Sequence, residues 1–204
     1  MSDLGLQSYY LGFEVNQGLG FITVKQTSYT KKILLKAGMM NCNAIKVPME
    51  CKLHMDKDKE GQEVNANNYR SIVGSLSYLT RTRPDISYVV GVISRFMERP
   101  TVKYQQALKH VLRYVKGMVN YGLSYASAGN ESTQDLCGYS DIDLAGDVTD
   151  RRNTGGMCFY LNGGLISRAS QKQRVIALSS CEAEYMAATY AACQSIWFVV
   201  YCKR

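Results

Sequence analysis

Two segments constrain the fold of this chain more than anything else in it. One is Gly138-Tyr139-Ser140-Asp141-Ile142-Asp143-Leu144-Ala145-Gly146-Asp147, and the other, further on, is Ala177-Leu178-Ser179-Ser180-Cys181-Glu182-Ala183-Glu184-Tyr185. The first lies in a predicted strand from Leu136 to Ala145, where residues two apart share a face, so Asp141 and Asp143 project together. The second opens a helix near Cys181, with Ser179 or Ser180 able to cap it and acids in the first turns, where the helix dipole favours them. Between them, Gly156 to Leu161 and Leu165 to Leu178 read as two more strands, the latter bent around Gln171-Lys172-Gln173. Asn162-Gly163-Gly164 joins these two strands and is a strong hairpin signal. An acid-bearing strand beside an acid-bearing helix is how a fold assembles a carboxylate site for a divalent metal.

Glu182 and Glu184 are two apart on that helix and cannot face the same site. Glu184 shares its face with Ala188, Ala191 and Ser195, whose small side chains suit close approach to a sheet. Glu184 is therefore the expected inward carboxylate. The helix is apolar nearly all round, as expected of a helix covered on two sides.

Upstream, Gln7 to Val24 alternates apolar and polar residues and predicts one hairpin, Tyr10–Val15 then Gly20–Val24, turning at Gly18 and Gly20. Tyr29 to Met39 has helical spacing and closes at Gly38. Residues 50–66 are charged and read as a flexible loop. Tyr69 to Thr80 is an amphipathic helix in which Gly74-Ser75 would permit close helix contact, and Pro84 suits the start of the next helix. In Thr101 to Lys116, apolar Tyr104, Ala107, Leu108, Val111, Leu112 and Val115 recur at helical spacing. Lys109, Arg113 and Lys116 lie on the opposite face, where a basic stripe could track phosphates or simply be solvated.

The net charge of +7 is carried unevenly. Residues 1–128 hold 17 Lys and Arg against 9 Asp and Glu, and residues 129–204 hold 7 against 8. A basic part joined to a near-neutral part with clustered acids suits a module that holds a polyanion beside a metal-dependent site. The seven cysteines form no CxxC pair, and His54 and His110 cannot complete a zinc site at a usual spacing. Reduced, buried thiols are expected. No apolar run has the length of a membrane span, and Met1-Ser2-Asp3-Leu4-Gly5 lacks the pattern of a secretory signal. A cytoplasmic or nuclear, non-secreted protein without a membrane partner is expected.

Three antiparallel strands and a helix, with an acid on the first strand and another on the helix, resemble the first half of an RNase H domain. The wording goes further. Tyr139-Ser140-Asp141-Ile142-Asp143-Leu144-Ala145-Gly146-Asp147, followed by Ala177-Leu178-Ser179-Ser180-Cys181-Glu182-Ala183-Glu184-Tyr185-Met186-Ala187, resembles the RNase H segment of Pol polyproteins from copia-type LTR retrotransposons, those of plants especially. Four upstream blocks resemble the region that follows the polymerase palm. They are Asp3-Leu4-Gly5 with Tyr10-Leu11-Gly12, Tyr69-Arg70-Ser71-Ile72-Val73-Gly74-Ser75-Leu76, Thr82-Arg83-Pro84-Asp85-Ile86, and Leu112-Arg113-Tyr114-Val115-Lys116-Gly117. The resemblance covers essentially the whole chain.

It implies an α+β architecture. Residues 1–128 would be a helical, thumb- or connection-like post-palm region with a β-hairpin, and residues 129–135 a linker within the Ser/Ala/Gly/Asn-rich run from residue 124. Residues 136–204 would be a truncated RNase H-like unit of three antiparallel strands and one buried helix. Asp141 matches the family's first catalytic Asp and Glu184 its catalytic Glu, both metal ligands, and Asp143 is an additional acid at the metal site. In the family, two Mg²⁺ ions held by carboxylates activate water and stabilise the leaving oxygen of the RNA strand of an RNA–DNA hybrid.

The chain also departs from the family. It has no Asp-Asp pair, so it is expected to begin downstream of the palm and not to polymerise DNA. The third Asp and the final acid would lie beyond Arg204, Leu144 stands where a Trp is expected, and Cys181 stands where Thr is usual. Two carboxylates in place of four imply weak Mg²⁺ binding and little catalysis. An unpaired edge on the first strand implies self-association, and Ile196, Trp197, Phe198 and Val199 are expected to form an apolar patch. The leading expectation is a retrotransposon-derived Pol fragment, catalytically incomplete. The alternatives are a non-catalytic nucleic-acid-binding module carried by Lys109, Arg113 and Lys116, or RNase H activity completed by a missing downstream segment. Short relatives of this segment occur as secreted RxLR-effector-like proteins of oomycetes. This chain has no Arg-x-Leu-Arg, its nearest string being His110-Val111-Leu112-Arg113, and a host-directed role is not expected.

Overall fold

The computed structural model describes residues 8–49, 60–126, 135–143, 152–173 and 175–202. The expected linker residues 129–134, the loop residues 50–59, the Asp3-Leu4-Gly5 block and Leu144 to Asp147 lie outside the described residues. The chain divides into two units, Met1–Leu123 and Ser124–Arg204. The architecture is mixed helix and antiparallel sheet, with five α-helices among the described residues.

In the first unit, β1 (Tyr9–Tyr10), β2 (Phe13–Gly18), β3 (Phe21–Lys25) and β4 (Gly122–Ala126) form a sheet in that order. The single hairpin expected here is corrected in two ways. Leu11 and Gly12 both adopt positive φ and fold β1 back on β2, Tyr10 opposite Phe13. Ser124 to Ala126, expected to open the polar run, belong to a strand beside β3, and the boundary between the units falls within that strand.

Four helices follow the periodicities: α1 (Thr27–Lys36), α2 (Ala66–Leu79), α3 (Ser87–Ser94) and α4 (Val102–Gly117), with a 3-10 turn at Pro84–Ile86. All six apolar positions predicted for α4 are buried, and they join Ile33, Leu34, Leu76, Leu79, Val90 and Ile93 in one core. Gly74 makes no close helix contact, since a side chain there would meet nothing within 4 Å. Residues 62–64 are not loose. Val64 N–H donates to Pro100 O, Val102 N–H donates to Gln62 O, and Glu63 bridges Thr101.

α1 has no side-chain cap of its own at Gln26. Glu14 of β2 supplies one, its Oε1 accepting the Ser28 N–H at 2.7 Å. Burial works to raise the Glu14 carboxyl, but its hydrogen bonding with Ser28, the nearby Thr27 hydroxyl and the charge of Lys25 outweigh that and hold it below its ordinary value. Glu14→Gln is expected to lower stability by about 0.5–1 kcal/mol at pH 7, read by urea unfolding. Because the folded carboxyl is the more acidic one, this advantage is complete above the unfolded value. The difference between the two proteins should therefore shrink as pH falls through the folded one.

The upstream motifs prove to be fasteners. The Tyr69 hydroxyl donates to Ile93 O at 2.9 Å, and Arg70 donates to Met97 O at 2.7 Å and Glu98 O at 3.2 Å, tying α2 to the end of α3. Arg83, only 2 % exposed, forks onto Asp85 at 3.0 and 2.7 Å and donates to Met118 O at 2.8 Å. Tyr114 of α4 completes the cluster, its hydroxyl donating to Asp85 at 2.8 Å.

In the second unit, β5 (Leu136–Asp143), β6 (Thr154–Leu161) and β7 (Gly164–Lys172) form an antiparallel sheet in that order. Asn162 and Gly163 turn β6 into β7 with φ of 50° and 77°, a pair of left-handed conformations that Asn-Gly accommodates at little strain. The third strand ends at Lys172, short of the expected Leu178. α5 (Ser180–Cys202) lies against β5 and β6, and Phe198 meets Phe159 at 5.2 Å between ring centres.

α5 is not the buried helix expected. Among its described side chains only Ala183, Ala187 and Phe198 are buried, whereas Tyr185, Tyr190, Ile196, Trp197, Val200 and Tyr201 are exposed. Phe198 thus leaves the expected apolar patch for the core. Cys181 and Cys193 are exposed and Cys42, Cys137 and Cys158 half-buried, so the expectation of buried thiols fails for these five. Among the described residues, no helix is long and apolar enough to cross a membrane.

Candidate functional site

The eight-residue pairing of β5 with β6 positions the acid-bearing strand, with Asp141 opposite Gly156 and Asp143 opposite Thr154. A side chain at Gly155, opposite Ile142, would meet the Ala187 methyl. Ile142 therefore takes the side of the sheet under α5, and alternation gives Asp141 the other side. Because β5 is the edge strand of the described sheet, Asp141 still borders the helix side of the site. It lines a hollow of about 320 Å³ together with Ser140, Ile142, Glu184, Ala187 and Ala188. Its Oδ1 accepts the neighbouring Ile142 N–H at 2.8 Å, which fixes the carboxylate against the strand. The side chain of Asp143 lies outside the described residues.

The other wall is the first turns of α5. Ser179 Oγ accepts the Glu182 N–H at 3.1 Å, while Glu182 Oε2 accepts the Leu178 N–H at 2.7 Å. This is a capping-box arrangement shifted by one residue, and it uses up Glu182 in starting the helix. Glu184 is left to the hollow. It is not inward, as the spacing suggested: the seam against the sheet runs through Ala183 and Ala187, one residue round the helix, and Glu184 stands exposed beside it. Of the small residues on its face, Ala188 lines the hollow with it. Ser140, Ile142 and Ala187 carried no signal in the sequence, since lining a hollow is set by the packing of strand on helix.

Two carboxylates from two elements thus border one solvent-accessible space. Oxygen donors of this kind suit a hard divalent cation, and the hollow has room for one with part of its water shell. Among the described residues, no group of three or more His, Cys, Asp or Glu gathers to hold a metal.

The basic stripe is distributed differently. Lys109 is exposed on α4. Arg113 donates to Asn43 O at 2.8 Å and Lys116 donates to Met40 O, so both clamp residues 40–43 against the helix.

The chain is similar to an uncharacterized mitochondrial protein of Arabidopsis thaliana, 37 % identical over 197 residues, which is 97 % of this chain and 80 % of that protein. It is 49 % identical over 137 residues to secreted RxLR effector protein 161 of Plasmopara viticola, covering 67 % of this chain and 94 % of that one. It is 35 % identical over 206 residues to the retrovirus-related Pol polyprotein from transposon TNT 1-94 of Nicotiana tabacum. That match covers 97 % of this chain but only 15 % of the polyprotein's length. No family model matches the chain, and no solved structure matches it.

Proposed function

The chain belongs to the copia-type retrotransposon Pol family, and from that membership we propose that its second unit carries part of an RNase H-type site, with the RNA strand of an RNA–DNA hybrid as its substrate. The observation that supports this reading is that Asp141 and Glu184, from separate elements, border the same hollow. These two residues would hold Mg²⁺, with Asp143 at the end of β5 as a further candidate. When bound, the metal supplies Lewis-acid stabilisation of the phosphodiester and an activated water. The protein's own part is to hold Asp141 in the β5–β6 pairing and Glu184 on a helix whose start is secured by Ser179 and Glu182.

Two carboxylates place less charge around a cation than a full carboxylate set, so weak binding and slow cleavage are expected of the described residues alone. The purified chain should bind Mn²⁺, used as a spectroscopic stand-in for Mg²⁺, and lose at least about tenfold in affinity with Asp141→Asn or Glu184→Gln. Any Mg²⁺-dependent cleavage of a labelled hybrid should vanish with either change. Mn²⁺ binding that ignores both substitutions would sink the assignment.

The alternative of a non-cutting nucleic-acid module is weakened by Arg113 and Lys116, which are engaged with main-chain carbonyls. Salt-sensitive hybrid binding that survives Asp141→Asn but falls with Lys109→Ala would restore it.

A further inference from the structure

Residues 40–49 follow α1 and lie along α4 without helix or strand of their own. They run opposite to the helix. Lys116 donates to Met40 O, Arg113 donates to Asn43 O at 2.8 Å, and His110 Nε2 donates to Val47 O at 3.1 Å. Gly117, the last residue of α4, admits them closely: a side chain there would stand 3.2 Å from the Ala44 methyl and 3.4 Å from Ile45 O. The segment is a strap seated on the face of α4 that carries Arg113 and Lys116, cations the second unit's site does not use.

The strap offers these cations only neutral carbonyls. Residues 15–49 contain five lysines and no Asp or Glu, and α4 carries Lys103, Lys109, Arg113 and Lys116, again with no acid. Dipoles therefore stand where a full negative charge would be the stronger acceptor. Among the described residues the strap makes one main-chain bond with α4, from Ile45 N–H to Arg113 O, and at 3.4 Å it is longer than the usual range. Asn41, Asn43, Ala44, Lys46 and Val47 are exposed, and Met40, Ile45 and Met49 are only half-buried against the core. Lifting the strap uncovers little apolar surface, and it frees charged donors for a better acceptor.

We propose that residues 40–49 form an autoinhibitory strap, which a single strand of nucleic acid displaces so that Arg113 and Lys116 pass from the strap carbonyls to its phosphates. Lys109, Arg113 and Lys116 recur along α4 at i, i+4 and i+7, a line of charge that suits a strand of phosphates. A lipid surface is the poorer fit. A helix lying on a membrane needs its apolar face for the acyl chains, and that of α4 is buried in the core. The proposal concerns the first unit alone and holds whether or not the second cleaves RNA.

The test is binding of a labelled single-stranded DNA oligonucleotide to the full chain, followed by fluorescence anisotropy over a range of salt. Gly117→Leu leaves every cation in place but pushes the strap off. It should tighten binding by at least about fivefold, because the displacement that the wild type must undergo has already happened. The salt dependence should stay as it was, since the same phosphates are contacted once bound. Arg113→Ala with Lys116→Ala should make the fall of log K with log salt shallower by about 1.4, the value for two contacts with a single strand. Unaltered affinity in Gly117→Leu, or an unaltered slope in the double variant, overturns the strap. So does tighter binding to anionic phospholipid vesicles than to the oligonucleotide. Because leucine at a helix end can disturb folding, Cys42 of the strap, half-buried at rest, supplies a second reading in the unaltered protein. Saturating oligonucleotide should speed its alkylation severalfold, as mapped by mass spectrometry, and a rate that stays or falls overturns the proposal.

Discussion

Phe159→Ala is expected to remove about 3–5 kcal/mol from the second unit and to abolish its cooperative melting. Among the described residues, the large buried side chains of that unit are Phe159, 2 % exposed, and Phe198, 8 % exposed, with Ala183 and Ala187 between helix and sheet. The Phe159 ring packs on Phe198 and lies over Gly138, where any side chain would collide with it. Truncation therefore opens a void at the one place where α5 is fastened by bulk, and the sheet has little other apolar cover to collapse into it. The core of the first unit shares no residue with this cluster. Hydrogen exchange followed by mass spectrometry should therefore show protection lost over β5, β6 and α5 while α2 and α4 keep theirs. Loss of protection in both sets alike, or in neither, would show that Phe159 is not the local keystone. Phe159→Leu, which keeps most of the volume, should lose about 1–1.5 kcal/mol and retain the transition.

The second large effect is expected at Arg83→Ala, a loss of about 2–4 kcal/mol by urea unfolding. Removing one member of a buried pair strands the other charge, usually at about 3–5 kcal/mol, and the range is reduced here because Asp85 remains 34 % exposed. The change also strips Met118 O of its donor, and it withdraws the cation that sits 5.6 Å from the Tyr114 ring and 5.7 Å from that of Tyr121. Burial would raise the Asp85 carboxyl, but hydrogen bonding and charge from Arg83, with the Tyr114 hydroxyl, outweigh it and hold the group below the usual carboxylate range. A folded-state value below the unfolded one means the stabilisation is complete above the unfolded value, about 3.9, and is lost as pH falls through the folded one. The gap between wild type and Arg83→Ala should accordingly stay constant from pH 7 to about pH 5 and narrow below pH 4. Asp85→Asn combined with Arg83→Met should recover much of the loss, since an uncharged pair leaves no stranded ion. A coupling energy near zero in that double-mutant cycle would show that the two residues act separately.

Much of the secondary structure was legible along the chain because its signals are local. Tyr104 to Val115 announces a buried face by spacing alone, Asn162-Gly163 announces its turn by chemistry, and Ser179 with Glu182 announces a helix start. Errors fell where the signal was weak or the cause distant. Ser124 to Ala126 has a composition that suits a loop, yet it continues a strand that opens at Gly122, where a side chain would stand 2.4 Å from Val24 O. Leu11 in a left-handed turn is unexpected of a leucine, and it divides into two strands a stretch whose alternation reads as one. The inward face of α5 was displaced by one residue because a helix apolar on every side gives periodicity nothing to choose between.

For the site, residue types and spacing singled out Asp141 and Glu184 and set Glu182 aside. Only the packing of α5 on β5 brings Asp141 and Glu184 to one hollow, at its edge and exposed. Of the same kind is the fate of the cations: Arg83, Arg113 and Lys116 look alike in a sequence, but one is buried on Asp85 and two are clamped on the carbonyls of residues 43 and 40. Sequence by itself determined the family, the helices and turns, and the pair of acids, because these follow from neighbours a few residues apart. The tertiary structure alone decided which helix face is covered and which charges are left to solvent, because those depend on groups that only folding brings together.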